Sequence, residues 1–254
     1  MSEIDRTEID GVPATPDELE RVTSAYGHFT AMQVRGGATR GLELHLRRLA
    51  ESNRERFDAG LDPERIRRLV SQALAGTEDA AARVYLYAGS PEPHVVVTVR
   101  PPGELSSPQR LRSVRYQRPD AHVKHVATQQ GRCRDEVQRQ GYDDALLTSD
   151  EGVVSETSIA NIGFFDGADV VWPDAPLLRG VTMQLLEERL PAAGVGVRRS
   201  RIRVDDIAGL DGAFLSNARG IASVSAVDDT ELPDAAGPMK LLLEVYDSVP
   251  WDPI

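Results

Sequence analysis

Apolar residues recur along this chain with two spacings, and the switch between them divides it into helices and strands. Leu42, Leu46, Leu49 and Asn53 share one face of a helix predicted over Leu42–Phe57. Pro63 opens a second helix, Glu64–Leu74, at the position where a missing N–H costs nothing. Alternating or continuous apolar runs predict strands at His28–Arg35, Arg83–Tyr87, His94–Val99 and Leu111–Tyr116, the last completing a first α/β unit. Residues 1–24 read as a loose lead-in and a short helix, and Gln117–His122, with Pro119, reads as a linker. Beyond it the pattern predicts a helix over Thr128–Gln140 and strands at Ala145–Thr148, Val153–Ser155, Ile162–Phe165 and Val170–Trp172. Asp150-Glu151-Gly152 and Asp166-Gly167 mark hairpin turns. A helix at Val181–Leu190, strands at Val195–Val204 and Gly212–Leu215, and a closing helix at Met239–Tyr246 complete an α+β chain in two parts.

Composition narrows the function. The 254 residues carry a formal net charge of −11, against the basic surface a nucleic-acid binder presents. No apolar run approaches the roughly 18 residues of a membrane span, and the N-terminus lacks the basic-then-apolar order of a signal peptide. The single Cys133 excludes an internal disulfide and a cysteine zinc site, and the histidines lack ligand spacing, so no metal is expected. These features point to the cytoplasm.

Lysine occurs only at Lys124 and Lys240, arginine supplying the remaining positive charge. Lys124 lies in Ala-His-Val-Lys-His-Val, and the cluster Ser155-Glu156-Thr157-Ser158-Ile159-Ala160-Asn161 follows it. An isolated amine that can form an imine, followed by a carboxylate in an otherwise uncharged run, suits carbonyl-cofactor chemistry. Residue type alone equally suits an exposed lysine. Gly180-Val181-Thr182 begins a predicted helix, whose free N–H groups attract an anion.

These pieces stand in an order that resembles the class IV aminotransferases, the fold-type IV family that uses pyridoxal 5′-phosphate. They are His45-Leu-Arg-Arg48-Leu49, Lys124, Gly152-Val-Val-Ser-Glu156-Thr-Ser-Ile-Ala-Asn161, Leu178-Arg-Gly180-Val181-Thr182, and Phe214-Leu-Ser216-Asn217-Ala218-Arg219-Gly220. The resemblance implies a two-domain α+β fold: a smaller N-terminal α/β domain (residues 1–118) and a larger C-terminal pseudo-barrel domain (residues 119–254) that binds the cofactor. It implies that Lys124 forms the internal aldimine and moves the substrate proton, and that Glu156 faces the pyridine nitrogen. Arg48, Gly180, Val181 and Thr182, with Ser216, Asn217 and Ala218, are the matching cofactor-binding positions, and Asn161 orients its surroundings. Arg100 and Thr98 match substrate-contacting positions. A homodimer, each site completed by a loop of the other subunit, is also implied.

The chain departs from the family pattern at Thr98, where several aminotransferases carry Tyr, at Gln129, and at Trp172. Lys124-His125 is closer to aminodeoxychorismate lyase. Three readings therefore stand: an aminotransferase acting on an amino donor and a 2-oxo acid, a lyase of the same scaffold that releases pyruvate, and a non-catalytic relative.

Overall fold

The computed structural model describes residues 5–126 and 129–254. They form two compact units. The first holds the described residues up to Gly103, the short segment Val123–Val126 and the end Pro250–Ile254. The second holds Glu104–His122 and the described residues from Gln129 to Val249.

An antiparallel sheet organises the first unit, in the order Val12–Pro13, Arg6–Ile9, His94–Arg100, Ala80–Tyr87, Gly27–Val34. The strand Arg6–Ile9 falls where the sequence suggested only a loose lead-in. Its side chains are mostly polar, and pairing with His94–Arg100, not apolar pattern, defines it. Helices Leu42–Phe57 and Pro63–Leu74 cover one sheet face, as their periodicity predicts. Leu42, Leu46 and Leu49 meet Met32, Val84, Leu86, Val97 and Val99 there. Each leucine buried in this way contributes about 1.5–3 kcal/mol. Asn53 shares the buried face for a different reason: its Nδ2 donates to the carbonyls of Ala59 (2.8 Å) and Gly60 (3.1 Å) in the loop that follows the helix.

Strand period divides the sheet residues between two faces. The helix-covered face carries His28 beside Leu86 and Val95, then Thr30 beside Val84 and Val97. The opposite face carries rows Phe29–Tyr85–Val96, Ala31–Arg83–Thr98 and Gln33–Ala81–Arg100.

The second unit is built on a nine-stranded mixed sheet. Asn161–Asp166 pairs antiparallel with Asp169–Pro173 and with Gly212–Asn217. Asp144–Thr148 pairs antiparallel with Val154–Thr157, across the turn that Gly152 makes at φ 77°. Both expected hairpins are therefore present. Three differences from the sequence reading concern strands. The strand expected at Leu111–Tyr116 to complete the first α/β unit spans Gln109–Arg115 and instead runs parallel to Asp144–Thr148 and to Gly220–Val227 in this sheet. Gly220–Val227 was not expected at all: its buried residues are largely small, Ala222, Val224 and Ala226 among them, so its apolar signal is weak. Val195–Val204 shortens to Gly196–Ser200, since Val204 begins a short 3-10 helix. Helix Gln130–Arg139 follows the prediction in its described part; Thr128, its expected start, lies outside the described residues. No helix among the described residues is long and apolar enough to cross a membrane.

Trp172, which had no account in the sequence, is a core residue. It is fully buried edge-on to Phe214, with ring centroids 5.2 Å apart. Phe214 also packs on Phe165 at 5.2 Å and lies over Gly163, its cross-strand partner. A Cβ at Gly163 would enter the Phe214 ring. Gly163→Ala is therefore expected to cost about 1–3 kcal/mol of stability by overpacking, seen as a lower urea midpoint with unchanged m-value; an unaltered midpoint would contradict this packing.

Candidate active site

Backbone pairing sets the place of Lys124. The segment Val123–Val126 lies along the open edge of Gly27–Val34: Phe29 N–H donates to the Lys124 carbonyl (2.9 Å) and Val126 N–H to the Gly27 carbonyl (2.9 Å). His28 and His125 face each other across this bridge. Lys124 thus stands opposite Phe29, and its Nζ lies over the Phe29 ring, 5.0 Å from the centroid. Phe29 stacks on Tyr85 with centroids 5.1 Å apart. Lys124 is half-buried on an aromatic floor, whereas Lys240 is exposed beside Glu244 at 3.9 Å.

Arg48 comes from the inner side of helix Leu42–Phe57. Its Nη2 donates to the Thr30 hydroxyl, and Thr30 Oγ1 lies 2.7 Å from His45 Nδ1. Thr30 and His45 are buried. The Arg48 Nε is shut off from water and has no partner. Burial lowers the guanidinium to about 10, so it remains charged at neutral pH. No carboxylate figures among the causes of that shift. His45 is held well below the ordinary histidine range by burial, then by the charges of Arg48 and Lys124. Arg48 and Lys124 therefore both bear on His45. Buried polar groups normally have partners; an unpartnered Nε on a guanidinium whose shift no carboxylate causes is a donor set that suits an anion.

The second unit gathers another set of the predicted residues. Glu156 is buried at the end of Val154–Thr157. Its Oε1 accepts from Arg118 Nε (2.9 Å) and its Oε2 from the Leu178 N–H (3.2 Å). Arg118, in the stretch read as a linker, is as buried as Glu156 and also donates to the Ala121 carbonyl. The sequence reading missed it; an arginine shortly before Lys124 carries no signal of its own. Asn161 ties the turn before the next helix, donating to the Leu178 carbonyl (2.7 Å) and accepting from the Gly180 N–H (3.2 Å). A Cβ at Gly180 would collide with Asn161 Oδ1, so glycine is required by close approach. Helix Val181–Arg189 begins there with no side-chain cap, leaving first-turn N–H groups for an anion.

Thr182 Oγ1 donates to the Asn217 carbonyl (2.8 Å), and Asn217 Nδ2 donates to the Ile159 carbonyl (3.3 Å). Ser216 is buried with an unpartnered Oγ, and Ala218 sits in the hairpin turn that follows Asn217. Glu156, Gly180, Val181, Thr182, Ser216 and Asn217 are thus brought together within this unit.

The substrate candidates lie on the open face of the first sheet. Thr98 shares a row with Arg83 and Ala31. Arg100 is one row further along, exposed, with its Nε 3.7 Å from Asp5 Oδ1. Arg83, which the sequence reading passed over, is exposed in the row next to Phe29–Tyr85, and its Nη1 lies 3.4 Å from the Tyr85 hydroxyl.

The model of the class IV aminotransferases matches residues 27–227. The chain belongs to that family. A relative from Rickettsia felis, named a probable branched-chain-amino-acid aminotransferase, is 31% identical over 90 residues, 35% of this chain. The match spans only 31% of that relative's length. Among solved structures, a hypothetical aminotransferase from Mycobacterium tuberculosis in its PLP-bound form matches with a TM-score of 0.82 at 22% identity, over 96% of this chain and 98% of that one. A putative 4-amino-4-deoxychorismate lyase from Legionella pneumophila matches with a TM-score of 0.81 at 20% identity, over 91% and 93%. The α+β, fold-type IV architecture expected from the sequence is the one these structures share.

His28 gives this site a pH signature. Burial first, then the charges of His125, Arg48 and Arg56, push its pKa from 6.5 down to about 4, against an opposing hydrogen bond from Asn53. Between these values the unfolded chain takes up a proton that the native chain refuses, so stability falls on acidification and is unaffected above the upper one. The full effect is about 3 kcal/mol. Urea titrations from neutral pH to about pH 4 are expected to show a steeper loss for the wild type than for His28→Gln; parallel curves would refute the assignment.

Proposed function

We propose that this chain is a pyridoxal 5′-phosphate-dependent aminotransferase that moves an amino group between an amino acid or amine and a 2-oxo acid. The observation that carries the reading is Arg48, a half-buried guanidinium with an unpartnered Nε and no carboxylate to neutralise it. A phosphate fits that donor set, and the uncapped helix start at Gly180 and the free hydroxyl of Ser216 suit an anionic, polar ligand as well. The PLP-bound form of the Mycobacterium tuberculosis aminotransferase supports the choice of cofactor. When bound, pyridoxal phosphate supplies an aldehyde for the amine and a ring that disperses the negative charge left when the substrate Cα loses its proton.

The chain's own groups divide the remaining work. Arg48 would hold the phosphate through its free guanidinium donors, and within the second unit the N–H groups of Val181 and Thr182 offer donors of the kind an anion takes. Lys124 Nζ would provide the amine and, when freed, would carry the proton from the substrate Cα to the cofactor's C4′. Glu156, steadied by Arg118 and the Leu178 N–H, would keep the ring nitrogen protonated. The Phe29–Tyr85 floor excludes water beside Lys124. A homodimer and a cytoplasmic location belong to the same reading.

Mixing the purified protein with pyridoxal phosphate is expected to produce an absorption band near the visible edge of the ultraviolet. The band shifts when the right amino donor is added, while Lys124→Ala produces neither band nor turnover. A protein with no such band, or one whose Lys124→Ala variant turns over normally, would overturn the proposal. Pyruvate released without consumption of a 2-oxo acid would assign the chain to the lyase branch instead.

Register selects Arg83 over Arg100 for a substrate carboxylate. Arg83 is one row from the Phe29–Tyr85 pair, whereas Arg100 is two rows away and faces Asp5. Arg83→Ala is therefore expected to raise KM for a dicarboxylic 2-oxo acid about tenfold, the loss of one charged hydrogen bond, with a smaller change for Arg100→Ala. The reverse ranking in steady-state assays would restore Arg100 to the role.

A further inference from the structure

We infer that Thr30 is a positioning residue that aims Arg48 at the cofactor phosphate through a directed hydrogen-bond chain with His45; the inference rests on the reading of Arg48 as the phosphate ligand.

The direction of the chain follows from the groups themselves. A guanidinium only donates, so Thr30 Oγ1 accepts from Arg48 Nη2. The hydroxyl has one proton, and His45 Nδ1, 2.7 Å away, is there to accept it. His45 is then neutral, with its proton on Nε2. Its environment independently favours that state, since burial and the nearby cations Arg48 and Lys124 disfavour a charged imidazole. Both acceptor and donor capacities of Thr30 are thus engaged within the unit.

Placement explains why the anchor is a hydroxyl. Thr30 stands on the helix-covered face of the sheet, in a row with Val84 and Val97. This surface is otherwise largely apolar, and a polar group is retained there only if it is satisfied. A carboxylate at this position would hold Arg48 more strongly but would cancel its charge. A hydroxyl fixes one arm of the fork and leaves the charge available. Nε is buried and has no partner in the protein, so the guanidinium keeps donor capacity for an oxyanion. Threonine adds stiffness, because its branched Cβ restricts χ1 on a strand.

The test compares binding of pyridoxal phosphate with binding of pyridoxal, which lacks the phosphate, to the apo-protein by fluorescence titration. Wild type is expected to prefer the phosphorylated form strongly. Thr30→Val, nearly isosteric, is expected to lose about tenfold in affinity for pyridoxal phosphate with little change for pyridoxal, and Thr30→Ser to recover most of the loss. Should Thr30→Val not fold, as judged by its melting transition, Thr30→Ala carries the same comparison with a smaller buried lesion. Equal preference in wild type and the folded Thr30 variant, or equal loss for both ligands, would overturn the inference. Arg48→Ala separates the two levels. If it abolishes the preference while the Thr30 variants keep it, only the relay fails; if Arg48→Ala also keeps the preference, the phosphate role of Arg48 fails with it.

Discussion

Two backbone hydrogen bonds, Phe29 N–H to the Lys124 carbonyl and Val126 N–H to the Gly27 carbonyl, decide where the Lys124 amine stands. A lysine on a flexible loop would sample many positions and remain solvated. Pairing with the edge of Gly27–Val34 removes that freedom and places Lys124 opposite Phe29, beside the residue that anchors Arg48. Because strand neighbours point to opposite faces, one strand serves two tasks. Phe29 forms the floor under Lys124, while Thr30 turns toward helix Leu42–Phe57 and meets Arg48.

The two units treat buried charge in opposite ways. Glu156 is accompanied by Arg118, so its burial is compensated locally and its carboxylate is held in one orientation. Arg48 is held by a neutral hydroxyl and lacks a carboxylate. A compensated acid suits a group that must keep its geometry; an uncompensated cation suits one that awaits an anion. The preference of each for its surroundings is a consequence of the cost of leaving a charge without water or a partner.

Much of the architecture was legible because helix and strand periods are local properties. Leu42–Phe57 was read with the bounds the structure shows, and Asn53 took its place on the inner face although its reason for being there, the carbonyls of Ala59 and Gly60, is tertiary. Gly220–Val227 escaped notice because small residues give a faint pattern, and Gln109–Arg115 was read as a strand but attributed to the wrong neighbours, since pairing depends on distant partners. Arg118 was hidden by Pro119, which makes its stretch look like a linker.

By itself the sequence determined the types of chemistry on offer: one scarce lysine set apart from the other, a carboxylate among small residues, an arginine on an apolar helix face, and a glycine before a helix. These follow from residue type and spacing, which need no partner to be read. Only the tertiary structure decided which of these groups are shielded and by whom. Arg118 on Glu156, Thr30 between His45 and Arg48, and Arg83 in the row beside Phe29–Tyr85 are all matters of sheet register and helix docking, where residues far apart in the chain become neighbours and the cost of burying charge selects their partners.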